Sequence, residues 1–194
     1  VDAERAYGVN HIKVADQLDK IAHVYEEQRK YAAAEHFFKR ALKIREANLG
    51  ANDIAIAKTL NRFGELYLEQ GKYAAAEPLF KRALVIEANV YGMDSIKLVA
   101  PLFRLAELQE SQRDFATAIQ LHQRALAIRE KTLGVDHRDA DSSLMRLAHL
   151  HQGLGQYAEA ENLLKRALTL RETTFGAESS AVKIALFNLA LVYQ

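Results

Sequence analysis

The chain has 194 residues, 49% hydrophobic and 26% charged, enough apolar surface for a continuous core and enough charge to solvate its outside. Lys plus Arg number 26 against 25 Asp plus Glu, a net charge of +1 that lacks the basic bias of a non-specific nucleic-acid binder. Nine Gly and two Pro leave little turn chemistry for an all-β fold or a flexible linker. The lack of Cys removes disulfides and thiolate chemistry, and no apolar run nears the ~20 residues of a membrane-spanning helix.

Residues 1–8 read as the last turn of a helix that stops at Gly8, and their opening, Val1-Asp2-Ala3-Glu4-Arg5, is not a signal peptide. From Gly8 a period of 42 residues begins, through Gly50, Gly92, Gly134 and Gly176 without an insertion. The expected units are 9–50, 51–92, 93–134 and 135–176, with 177–194 forming the first helix of a fifth. Within the second, Ala57, Leu60, Phe63, Gly64 and Tyr67 follow helical spacing, and so do Ala76, Leu79, Phe80, Ala83 and Leu84. Gly71 between them suits the left-handed residue that ends a helix, and Arg29, Arg113 and Gly155 take its place in the other units. Asn10, Asn52, Asp94 and Asp136, two residues past each Gly, are expected to cap the next helix. Each unit is thus helix A, tight turn, helix B, Gly stop and cap. The last helix is apolar on two sides, with Val182, Ala185 and Leu189 on one and Ile184, Phe187 and Leu191 on another. It invites either a continuing array or stacking on a copy of itself.

The residues Leu60, Phe63, Gly64, Tyr67, Ala76, Phe80 and Ala83 carry the signature of the tetratricopeptide repeat, and Leu18, Ile21, Ala22, Tyr25, Ala34, Phe38 and Ala41 repeat it. The third and fourth units are looser, with Gln109 and His122, then His151 and Leu164, at the aromatic positions. With its 42-residue period and the run Gln70 to Leu84, the whole chain resembles the kinesin-light-chain type of this repeat. The resemblance implies an all-α, right-handed superhelical solenoid of antiparallel helix pairs, with no enzymatic role.

The resemblance also implies that helix A lines a groove and that certain of its positions face a ligand. Counting from three residues before the first signature Leu, position 6 reads Lys20, Arg62, Arg104, Arg146 and Asn188, and position 5 ends in Phe103, Met145 and Phe187 after Asp19 and Asn61. With His149 these form the expected peptide-binding set: Lys20, Asn61, Arg62, Phe103, Arg104, Met145, Arg146, His149, Phe187 and Asn188. A cationic row beside an apolar one suits an extended acidic peptide with a bulky apolar anchor. The competing reading is structural: Arg62 and Arg104 sit three residues before Glu65 and Glu107, and the apolar row can pack between helices. The expected partner is a protein or peptide, without nucleic acid, membrane or cofactor. Self-assembly through the chain ends, or service as the regulatory arm of a larger signalling protein, stands as the alternative.

Other motifs read as structural. Glu35–Lys39, Glu77–Lys81 and Glu161–Lys165 are i,i+4 pairs on helix B, beside a stripe of Lys-Arg pairs. The run Asp136 to Asp141 lacks the Gly and terminal Glu of a calcium loop, and His149 and His151 point to different helix faces. No nucleophile has a placed base, and no Gly-rich loop cradles a phosphate.

Overall fold

The computed structural model describes residues 2–193, so Val1 and Gln194, at the outer limits of the first and last expected segments, lie outside the described residues. The chain divides into two compact units, Val1–Met93 and Asp94–Gln194. The first holds α1 (Asp2–Tyr7), α2 (Ile12–Glu27), α3 (Tyr31–Asn48), α4 (Ile54–Glu69) and α5 (Tyr73–Tyr91). The second holds α6 (Val99–Ser111), α7 (Phe115–Leu133), α8 (Asp141–Gly153), α9 (Tyr157–Phe175) and α10 (Ser180–Val192). Among the described residues there is no strand, and each unit is a stack of helix pairs joined by tight turns.

The turn inside each pair is closed by backbone chemistry. The N–H of Lys30 donates to the carbonyl of Tyr25 at 2.8 Å and that of Arg29 to Glu26 at 2.8 Å, which is the Schellman pattern. It needs one left-handed residue: Arg29 at φ 57° and Arg113 at 62°, where the other pairs have Gly71 and Gly155. An Arg there costs on the order of 1 kcal/mol against Gly, which the packed pair offsets.

Two local expectations require correction. Gly50 is not a left-handed stop like Gly92 or Gly134, because α3 ends at Asn48 and Leu49 already leaves the helix in extended conformation. The caps also fall one residue later than expected, on His11, Asp53, Ser95 and His137, each accepting from the N–H two residues on. Closed turns explain the shift: the N–H groups of His11, Asp53 and His137 bond back to the carbonyls of Gly8, Gly50 and Gly134. Each turn uses up the residue after the Gly and the one that follows it. Asp94, freed from capping, takes the Lys131 ammonium at 2.5 Å.

In the third and fourth repeats helix A begins with a 3-10 turn, Ile96–Leu98 and Arg138–Ala140. Pro101 has no N–H to bond the carbonyl of Lys97, which accounts for the first; nothing in the structure explains the second.

Small residues set the approach of helices A and B. Ala22 and Ala34 are fully buried beside Phe38, whose ring stacks on Phe63 at 5.8 Å between centroids. A Cβ added to Gly64 would sit 2.7 Å from the Phe80 ring. In the second unit Leu144, Leu147, Ala148, Leu164, Ala167 and Leu170 form the corresponding core. His122 fills the signature Phe position there and is fully buried.

Candidate functional site

In the first three repeats position 5 of helix A meets the residue 26 further along, on helix B, and this relation bears on what helix A can offer a ligand. In the first unit, Asp19 is buried and accepts from the Arg45 guanidinium at 2.6 Å. Arg45 also donates to Thr59 and reaches Asp16 at 2.7 Å, tying α3 to α2 and α4. Burial, outweighing the attraction of Arg45, holds the Asp19 carboxyl above its ordinary range. Asn61 takes the same place one repeat on: it is 8% exposed and donates to Glu87 at 3.0 Å.

In the second unit, Phe103 lies under the Arg129 guanidinium, 4.8 Å from ring centroid to cation, with the edge of His122 at 4.7 Å. Arg129 reaches on to Ser142 at 2.8 Å and Ser143 at 2.6 Å. Arg171 grips Asp141 through two hydrogen bonds of 2.7 and 2.9 Å and donates to the carbonyl of Ala181 at 2.9 Å. In the first three repeats position 5 is therefore a junction between helices. The sequence carried a signal for it: residues 45, 87, 129 and 171, one period apart, are Arg, Glu, Arg and Arg.

The ten predicted residues separate by surroundings. In the first unit, Lys20 is exposed beside Ile21, Tyr25 and Lys30 in an open hollow of about 410 Å³. Arg62 lies in a wider one of about 800 Å³ whose wall includes Glu26, Glu27, Glu65 and Glu69. Burial, followed by the charges of Glu69 and Glu65, pushes the Glu26 carboxyl up, against a hydrogen bond from His23. The acids occupy positions 9, 12 and 13 of helix A, which a ladder of position 6 passes over.

The second unit brings four of the ten together. Phe103, Met145, Arg146 and His149 line one hollow of about 480 Å³ together with Glu107, Asp141, Ser142 and Arg171. Met145 is buried, whereas Arg146 and His149 are exposed. Arg146 is held by Glu107 at 3.2 Å and Glu110 at 3.8 Å, and Glu110 also bonds the His122 Nε2 at 2.9 Å. Arg104 and Asn188 are half-buried, and Phe187 is exposed on α10.

The stripe on the B helices is neutralised. Lys39, Lys81 and Lys165 pair with Glu35, Glu77 and Glu161, while Arg40, Arg82 and Arg166 reach Glu4, Glu46 and Glu130, each 36 residues earlier. Among the described residues no three His, Asp or Glu side chains come together to hold a metal ion, and no helix is long and apolar enough to cross a membrane.

The family model of the tetratricopeptide repeat matches four overlapping stretches, residues 15–86, 55–131, 97–173 and 139–194. No curated protein sequence matches the chain. Among solved structures it is similar to a kinesin light chain with nearly identical TPR-like repeats from Podosopora anserina. That match has 21% identity and a TM-score of 0.78, and covers 95% of this chain and 87% of that one. It is similar to BtubC (BKLC) from P. vanneervenii at 20% identity and TM-score 0.73, over 94% and 72% of the two chains. Aspartyl phosphate phosphatase F from Bacillus subtilis matches at 16% identity and TM-score 0.69, over 93% of this chain and 45% of that one. At such identities the likeness is one of fold.

Proposed function

The chain belongs to the tetratricopeptide-repeat family, a class of protein-interaction scaffolds rather than enzymes, and from that premise we propose that it binds an extended acidic peptide of a partner protein. The hollow over α6 and α8 is the seat of this peptide. The observation that carries the reading is the meeting of Phe103, Met145, Arg146 and His149 in that one hollow. Phe103 and Met145 supply an apolar wall for an anchoring side chain, and Arg146 supplies the fork that matches a carboxylate.

Glu107 and Glu110 already sit beside Arg146, but both pairs are partly solvated, and exposed pairs of this kind are worth ~0–1 kcal/mol. A ligand carboxylate can therefore take their place. The four carboxylates around Arg62, those of Glu26, Glu27, Glu65 and Glu69, repel such a ligand instead. The acidic part of the peptide accordingly belongs to the second unit.

The test is binding of an array of acidic peptides, each with one Trp or Leu, by the wild type and two variants. Arg146→Glu should weaken the selected peptides at least tenfold, with wild-type affinity falling as salt rises. Arg62→Glu should change them by less than about twofold, because the first-unit hollow is already acidic. If Arg146→Glu selects the same peptides as the wild type, the proposal is wrong.

A further inference from the structure

The third repeat differs from the others at one core position. Where they bury Phe38, Phe80 and Leu164, it buries His122. Packing alone asks for an apolar group there, as those three residues show. The imidazole Nε2 faces the Glu110 Oε1 at 2.9 Å, and the second oxygen of that carboxylate, Oε2, lies 3.8 Å from the Arg146 guanidinium. One carboxylate near the end of α6 thus joins a titratable group of α7 to the cation of α8 that lines the hollow. Phe103, the aromatic wall of the hollow, meets the same imidazole edge-on at 4.7 Å between centroids.

The charged groups around His122 are Glu107 and Glu110 from α6 and Arg146 from α8, while Arg129 of its own helix lies over the Phe103 ring. Two carboxylates therefore share one guanidinium, with an imidazole beside them. Facing a carboxylate, Nε2 carries the proton of the neutral ring. A second proton goes to Nδ1, a buried atom with no hydrogen-bond partner among the described residues. Burial favours the neutral ring; Glu110 opposes it, Arg146 adds to it and Glu107 opposes it again. A ligand carboxylate on Arg146 alters two of these effects at once. It cancels the positive charge that disfavours imidazolium, and it draws the guanidinium away from Glu110, leaving that carboxylate to His122. Both changes favour the second proton.

We infer that His122 is a proton-coupled regulator of the hollow: an acidic peptide seated on Arg146 is taken up together with a proton on His122, and binds more tightly as pH falls. This rests on the hollow being the seat of the peptide and adds how that seat is controlled. The coupling is reciprocal, because a charged His122 gives Glu110 another cation and so frees Arg146 for the ligand. Its sign follows from linkage, since binding that takes up a proton gains affinity as pH falls. The gain falls in the histidine range, where Asp and Glu of the peptide, with ordinary values of about 4, stay ionised.

The experiment has two arms, both on the full chain. Without peptide, the His122 ring is followed by NMR through a pH titration in the wild type and in Arg146→Gln. Its midpoint should move up in the variant, because the cation that disfavours imidazolium is gone. With a labelled Glu-rich peptide carrying one Trp, fluorescence anisotropy reads affinity between about pH 7.5 and 5.5. The wild type should bind roughly threefold or more tightly at the lower pH. His122→Phe and Glu110→Gln should each remove most of that gain with the circular dichroism of the chain unchanged. His149→Asn, which takes away the other imidazole of the hollow, should keep most of it.

The inference is overturned if the His122 midpoint is the same in Arg146→Gln as in the wild type, or if His149→Asn removes the pH dependence and His122→Phe keeps it. An equal pH dependence in the wild type and all three of these binding variants also overturns it, since the protons then belong to other groups. A peptide that binds at no pH, beside a midpoint that still moves, overturns the hollow as the seat and this regulation with it. A peptide that binds equally at every pH leaves the hollow standing and overturns the coupling alone.

Discussion

At Gly64 two opposed effects of similar size meet. An alanine there gains roughly 1 kcal/mol of helix propensity but brings its Cβ to 2.7 Å from the Phe80 ring. The first repeat shows that the ring can yield, since Ala22 and Phe38 coexist in its core. Gly64→Ala should therefore leave the urea midpoint nearly unchanged, while Gly64→Val, which adds bulk the ring cannot avoid, should lose ~1–3 kcal/mol. Equal losses in both would mean that the α4–α5 approach is rigid. His122 is the second residue with a measurable consequence. Burial, opposed by Glu110, holds its imidazole below the ordinary 6.5 in the folded chain, with Glu107 and Arg146 also facing it. The folded state thus binds fewer protons than the unfolded one in this range. The stability His122 contributes is complete above pH 6.5 and falls as pH drops through that value. His122→Phe, which restores the signature aromatic, should flatten the wild type's loss of stability between about pH 7.5 and 5.5, read as urea midpoints. An unchanged slope would place the proton uptake on other groups.

Among the elements, the junction built on Arg45 separates what the sequence announced from what it concealed. The 42-residue period, the helix pair of each unit and the left-handed Arg29 were readable, because each depends on residues close in the chain. Asp19, Arg45 and Thr59 come together from three helices, and no local pattern marks a carboxylate as buried. The groove was legible to the same degree. Phe103, Met145 and Arg146 could be placed on one face by counting, whereas the acids around Arg62 come from two helices and came into view only once α2 and α4 were packed. Removing one partner of a buried pair leaves the other charge uncompensated. Arg45→Met should therefore cost ~3–5 kcal/mol in denaturant unfolding, and Asp19→Leu with Arg45→Met should recover most of it. A double variant no more stable than Arg45→Met would show that Thr59 and Asp16, not Asp19, give the guanidinium its role.

For the molecule as a whole, the relevant quantity is how stability is distributed along the repeats. In a repeat array each helix is held by its own packing and its nearest neighbours, so local opening follows local burial. Helix α4 buries eight residues, from Ile56 to Leu66, whereas α10 buries only Val182 and Ala185. Amide hydrogen exchange should therefore be slow along α4 and fastest, among the long helices, along α10. The proposed peptide hollow lies over α6 and α8, so a peptide seated there would add to the stability of those two helices. Ligand binding to the folded form slows exchange by the factor 1 + [L]/Kd when the opened form does not bind. At a peptide concentration about a hundredfold above Kd, the amides of α6 and α8 that exchange by local opening should slow by about two orders of magnitude while those of α4 stay as they were. Protection arising instead in α2 and α4 would assign the peptide to the hollow around Arg62. Protection spread evenly over both units would mean that binding is felt through the global fold rather than at the hollow.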